Sequence, residues 1–263
     1  MSQNNFIGIF DSGVGGTCIW QEVHQLLPYE HTLYLADSKN APYGNKSVDE
    51  IIALSCKNTE YLLEQNCKLI IVACNTATTN AISVLRERYS VPFVGIEPAI
   101  KPAALHTQSN SIGILATKGT LGSELFHNAS EDFASSIKLT EVVGDGLVRL
   151  IEDGQINSSK MDQLLQKYMA PMIKENIDYL VLGCTHYPFL IPKLRKFLSS
   201  EIKIIDSGEA VAKQTEKVLS QHHLLRKDST PPNHIFYNNL QTDTLSSLLA
   251  SFSKIISIQQ KDF

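Results

Sequence analysis

Residues 69–77 read LIIVACNTA, and residues 179–187 read YLVLGCTHY. Each is an apolar run that ends at a small residue, Ala73 or Gly183, followed by a cysteine among polar neighbours. Apolar runs without alternation are the mark of strands buried on both faces, as in parallel sheets. Laid on one another, the two segments set Cys74 against Cys184, Asn75 against Thr185 and Thr76 against His186. A second match lies upstream of each. SIGILATKGT (111–120) resembles FIGIFDSGVGG (6–16), which sets Asp11 against Ala116, Ser12 against Thr117 and Gly15 against Thr120. The offsets are 105 residues for the first strand pair and 110 for the cysteine pair, so the registers agree within a short insertion. Alike strands are expected in any α/β chain. Coincident cysteines at strand ends are not, and they indicate an internal repeat.

Working outward, strand and helix alternate. Helical spacing covers 17–27, TLYLAD (32–37) is strand-like, SKNAPYGNKS (38–47) is a loop, and 48–65 reads as a helix. KLIIVACNTA (68–77) reads as the next strand, with a helix through Tyr89 and a strand at VPFVGI (91–96). IKIIDSGEA (202–210) occupies the corresponding place in the second half. This alternation predicts parallel sheets with helices on both faces. The expected fold is α/β, with two similar parallel-sheet domains related by pseudo-symmetry and an active site in the cleft between them. The expected domains are 1–97 together with 207–263, and 98–206. The last segment carries a helical stretch, GEAVAKQTEKVLSQHHLL, and a strand–helix–strand that should pack back onto the first domain.

The chain has 263 residues and a net charge of -4. Nothing in it resembles a basic track for nucleic acid, and no apolar stretch is long enough to span a bilayer. The start MSQNNFIGIF lacks the pattern of a signal peptide. Five cysteines without CxxC spacing argue against a disulfide framework or a zinc site. A reducing cytoplasm is the expected location.

Ligands of open α/β sheets bind outside the carboxyl ends of the strands. Four such ends here carry polar side chains: Asp11 and Ser12, Cys74 to Thr76, Thr117 with Thr120, and Cys184 to His186. The loops DSGVGG and ATKGT open onto helices, whose free N–H groups hold anions. GVGGTC is not the GxGxxG fingerprint and no Walker sequence is present, so a small carboxylate ligand is favoured over a nucleotide. Two thiols facing one cleft suit disulfide exchange, nucleophilic attack or two-base proton transfer. Exchange would favour CxxC or a nearby resolving cysteine and leaves the anion loops unexplained; attack needs one thiol and a base. Two-base transfer uses a thiolate on one face of a stereocentre and a thiol on the other. With a free pKa of about 8.5, both protonation states are within reach near neutrality. Cys18, Cys56 and Cys67 lie in or beside helical segments and read as packing residues. His186 and Asp11 are candidate helpers of the two thiols. Glu152, in GLVRLIEDGQI, reads from these residues as a solvated helix end, and Asp37 as a turn residue.

GIFDSGVGG, APYG, ACNTA and GCTHYP occur in the order and spacing of the glutamate racemases, and the resemblance runs from about residue 6 to about residue 220. It implies cofactor-independent interconversion of L- and D-glutamate, supplying peptidoglycan, in a two-domain fold, without pyridoxal phosphate or metal. Aspartate or another small acid is the alternative substrate, and a two-domain binding protein without chemistry is the alternative class. By resemblance, Cys74 acts on D-glutamate and Cys184 on L-glutamate, with Asp11, His186 and Glu152 assisting. Ser12, Tyr43, Gly44, Asn75, Thr76, Thr117, Thr120 and Thr185 resemble substrate contacts, as do Asp11 and His186. The partner implied is the small-molecule substrate, with neither nucleic acid nor membrane; a homodimer is admitted. Cys18 and Trp20 replace smaller or aliphatic residues, and the proline pattern many members show before Glu152 is missing. The short start also leads us to expect no regulation of the kind exerted by a peptidoglycan precursor.

Overall fold

The computed structural model describes residues 2–134 and 136–263. Among these residues ten strands build two sheets. β1 (Ile7–Asp11), β2 (Thr32–Ala36), β3 (Leu69–Val72) and β4 (Phe93–Gly95) come from the first repeat. β5 (Ser111–Ala116), β6 (Lys138–Val143), β7 (Tyr179–Gly183) and β8 (Lys203–Ile205) come from the second. β9 (His234–Asn238) and β10 (Ile256–Gln260) follow. The sheets run β10-β9-β2-β1-β3-β4 and β6-β5-β7-β8, and every pairing is parallel. The order β2-β1-β3-β4 is thus repeated as β6-β5-β7-β8. Sequence similarity between the halves has become the same topology twice.

The repeat extends to details of the backbone. Asn66 and Asn176 both end a helix with positive φ, 58° and 51°, just before the strand that leads to the cysteine. Asparagine tolerates that left-handed conformation better than other residues with a side chain. The glycines of the two Ile-Gly-Ile cores are equivalent as well. A Cβ on Gly8 would meet Cys67 and Leu62 at 3.0–3.1 Å, and one on Gly113 would meet Ile177 and Met172 at 2.8 Å. In each half a helix end lies almost on the strand backbone, and only glycine leaves the room.

Two corrections to the local reading follow. The strand expected over 68–77 stops at Val72, and a helix begins at Asn75. Cys74 is the residue that turns one into the other: its backbone is extended and its sulfur accepts the Ala77 N–H. The β-branched run alone could not reveal this, because side chains that cap a helix are chosen by the turn. SKNAPYGNKS contains two short 3₁₀ turns, Ser38–Asn40 and Tyr43–Asn45, and Ser47 then opens helix Val48–Glu64 with a capping box to Glu50.

β9 adds to the free edge of β2, in register from Thr32 with His234 to Ala36 with Asn238. Trp20 anchors this addition. Its ring, fully buried, stands edge-on to Phe236 and Phe252 with centroids 4.9 and 5.1 Å away. Its indole N–H donates to Thr32 Oγ1 at 2.8 Å. The bulk of Trp20 therefore serves packing. One continuous apolar cluster joins the sheets, running from Ile9 and Trp20 to Leu150, Leu165 and Leu182. Among the described residues no helix is long and apolar enough to cross a membrane.

Candidate active site

The carboxyl ends of β1, β3, β5 and β7 meet between the two sheets. There a narrow cavity is lined by both Cys74 and Cys184. Ser12, Tyr43, Gly44, Asn75, Thr76, Thr117, Thr185 and His186 share its wall, and so do two residues absent from the expected set, Pro42 and Val148. Asp11, Thr120 and Glu152 stand behind the wall and act on it through hydrogen bonds.

On the first side, Cys74 Sγ lies 3.6 Å from Ser12 Oγ and accepts the Ala77 N–H at 3.4 Å. It thus sits at the N-terminus of a helix of 14 residues, whose dipole favours a thiolate. Burial works against that, and so does the nearby Asp11 carboxylate; together they push the Cys74 thiol well above its ordinary range. Asp11 is itself raised by burial to about 6, although His186 and the Gly16 N–H pull it down. The Gly16 N–H donates to Asp11 Oδ2 at 2.7 Å. Ser12 Oγ and Thr185 Oγ1 reach Asp11 Oδ1 at 3.4 and 3.5 Å.

On the second side, Cys184 Sγ lies 3.8 Å from His186 Nδ1. His186 Nε2 meets Glu152 Oε1 at 2.6 Å. Burial alone would lower the His186 pKa, but its contacts with Cys184 and Glu152 outweigh burial and hold it well above its usual value. Glu152 also accepts the Val14 N–H and the Ser38 hydroxyl, each at 2.7 Å. These donors, with His186, overcome burial and keep Glu152 ionised below the usual carboxylate range. The solvated helix end expected from Glu152's local sequence is therefore wrong. Its side chain is buried because the DSGVGG loop of the other sheet closes over it. That loop is glycine-rich for lack of space: a Cβ on Gly13 would stand 2.0 Å from Glu152 Oε1, and one on Gly15 2.2 Å from His186 Nδ1.

The hydroxyls meet across the cleft. Thr76 Oγ1 lies 2.8 Å from Thr117 Oγ1 and 3.3 Å from Thr120 Oγ1, and the latter two are 3.0 Å apart. Asn75 Nδ2 is buried without a partner among the described residues. A buried amide without an acceptor is costly, and this one faces the cavity wall.

From its local sequence Asp37 reads as a turn residue. It is fully buried and accepts from Tyr43 Oη, Asn40 Nδ2 and Asn239 Nδ2. Asn58 Nδ2 donates to the same Tyr43 oxygen at 3.1 Å. Asp37 thereby fixes Tyr43 against the cavity, with help from the segment after β9. The only sequence signal was its place at the carboxyl end of a strand.

The family described as Asp/Glu/Hydantoin racemase matches residues 18–215. The glutamate racemase of Ectopseudomonas mendocina is 47% identical over 220 residues, which are 83% of this chain and 84% of that one. The chain belongs to the glutamate racemase family. Solved structures agree with that membership. Escherichia coli glutamate racemase, in complex with L-glutamate and the activator UDP-MurNAc-Ala, superposes with a TM-score of 0.84 at 30% identity and covers 98% of each chain. The Francisella tularensis enzyme in complex with D-glutamate gives 0.83 at 27%, covering 99% of this chain and 97% of that one. As a member of this family the protein is an amino-acid isomerase.

Proposed function

We propose that the protein interconverts L- and D-glutamate by passing the α-proton between Cys74 and Cys184, with no added cofactor. The observation that carries this reading is one cavity walled by two thiols, one from each sheet, each backed by its own acid–base partner. The solved relatives bound to L- and to D-glutamate support glutamate as the substrate.

In the L-to-D direction, Cys184 as thiolate removes the α-proton from one face, and the Cys74 thiol delivers its proton to the other. The site has then exchanged the roles of its sulfurs and runs equally well in reverse. The electrostatics fit this division. The His186 cation, held by ionised Glu152, stands beside Cys184. Burial and the Asp11 charge keep Cys74 a thiol ready to donate. Asp11, at about 6, can hold or release a proton near neutrality and reaches Cys74 through Ser12. We assign Asn75, Thr185 and the helix N-terminus behind Cys74 to the substrate carboxylates. The hydroxyls of Thr76, Thr117 and Thr120, with Tyr43 and Gly44, complete the proposed contacts. We place the enzyme in the cytoplasm, where its five free cysteines remain reduced and D-glutamate would enter peptidoglycan synthesis.

The test is incubation of L-glutamate with the purified protein in deuterium oxide without cofactor. D-glutamate bearing deuterium at the α-carbon is expected. D-glutamate that keeps the original proton would overturn two-base transfer, and turnover of L-aspartate in place of glutamate would overturn the substrate. The contact between loop and histidine yields a further expectation. Gly15→Ala should displace His186 and lower kcat about a hundredfold, and the overpacking against a buried ring should lower the melting temperature by several degrees. Wild-type turnover would show that His186 does not need its present position.

A further inference from the structure

Cys18 is the one unusual residue of the DSGVGGTC loop for which the proposed reaction has no use. It is half-buried in helix Thr17–Leu26, and its Sγ–H donates to the Thr185 carbonyl oxygen at 3.2 Å. That carbonyl is one residue beyond Cys184. Both thiols also line a second, small cavity, which adjoins the first through the shared residues Asn75, Cys184 and Thr185. A thiol that plays no part in proton transfer thus shares a cavity wall with one that does.

We propose that Cys18 is the resolving thiol for Cys184: when a peroxide oxidises Cys184, Cys18 closes a reversible Cys18–Cys184 disulfide across this second cavity. The proposal rests on the reading of Cys184 as a reactive sulfur. In the first step the Cys184 thiolate attacks one peroxide oxygen; the S–O bond forms, the O–O bond breaks, and the leaving hydroxide takes a proton to become water. Two electrons have passed from sulfur to peroxide. In the second step Cys18 sulfur, losing its proton, attacks the sulfenic sulfur; the S–S bond forms, the S–O bond breaks, and the departing hydroxide leaves as water with that proton. The order of events follows from the surroundings. Burial, with the charges of Asp206 and Asp11, holds Cys18 well above the usual thiol range, so it does not react first. Cys184 lines the substrate cavity beside His186, where a peroxide would meet it first. The bridge would stop catalysis, and it would also keep Cys184 from irreversible oxidation beyond the sulfenic state.

The experiment treats the full chain and its Cys18→Ser variant with limiting hydrogen peroxide, then alkylates free thiols. Unreduced peptides are mapped by mass spectrometry, and racemisation is assayed before and after dithiothreitol. A linked Cys18–Cys184 peptide is expected in wild type, with activity restored on reduction. Cys18→Ser should show no link and a several-fold larger fraction of irreversible loss. Cys18 found fully alkylated in peroxide-inactivated wild type would overturn the proposal, as would Cys184 linked to Cys74 instead. The peptide map of the wild type reads the link without any activity assay. Failure of racemisation and failure of the bridge are therefore separate results.

Discussion

Cys74→Ser is expected to lower racemisation in both directions by about 10²–10⁴-fold, the range for a positioned acid–base group. A serine hydroxyl can occupy the same helix cap and keep the Ala77 N–H satisfied, so the fold should survive. It cannot serve as a base, because its pKa lies far above that of a thiol. The variant should still let Cys184 work on its own face. Exchange of the α-proton of L-glutamate with deuterium oxide should therefore persist more strongly than exchange of D-glutamate. Following both enantiomers by proton NMR distinguishes this from general damage, which would slow both alike. Racemisation at the wild-type rate would end the two-thiol reading.

The largest expected effect on stability lies far from the cleft. Lys68 is fully buried, and its ammonium donates to Glu30 Oε2 at 2.5 Å and to the Gln3 carbonyl. Burial pulls the Lys68 pKa down, and the Glu30 carboxylate opposes that pull. Glu30 also accepts the Arg226 N–H at 2.8 Å, which ties the C-terminal segment to the start of β2. Glu30→Ala would leave a buried cation without its partner, a loss of about 3–5 kcal/mol. In a chain of this size that corresponds to a melting point roughly 10 °C lower. Lys68→Met combined with Glu30→Gln removes both charges and keeps an acceptor for Arg226, so most of the loss should be recovered. Thermal unfolding of the single and double variants checks this. A shift below about 2 °C for Glu30→Ala would mean that water reaches Lys68 in the variant.

The residues legible in the sequence and those that were not differ in a physical way. Strands β1, β3, β5 and β7 could be read because an apolar run between turns is a local pattern, although the reading of β3 ran five residues past its end at Val72. The two cysteines could be read because they recur at equivalent strand ends. The helix start at Asn75 was missed, since NTATT looks as much like strand as helix until Cys74 caps the turn. Glu152 was misjudged from its neighbours because EDG is the composition of a solvated helix end, and its burial is supplied by residues 12–16 and Ser38 of the other sheet. Asp37 was passed over for a similar reason. Two of its three donors are side chains, Tyr43 and Asn40, within the next few residues, but the third, Asn239, comes from the far end of the chain.

What the sequence by itself determined was the repeated α/β pattern, the pair of thiols at matching strand ends, and the family those motifs identify. These are properties of local periodicity and of short motifs, which survive without knowledge of what packs against them. What only the tertiary structure decided was how the two halves of the cleft are coupled. His186 gains Glu152 as its partner, Glu152 is held by Val14 and Ser38, Tyr43 is held by Asp37 and Asn239, and Cys18 is set beside Cys184. Most of these contacts join residues that lie far apart in the chain, and none is favoured by propensity. They exist because two parallel sheets bring their carboxyl ends together over one core, and a buried polar group must then find its partner wherever the fold provides one.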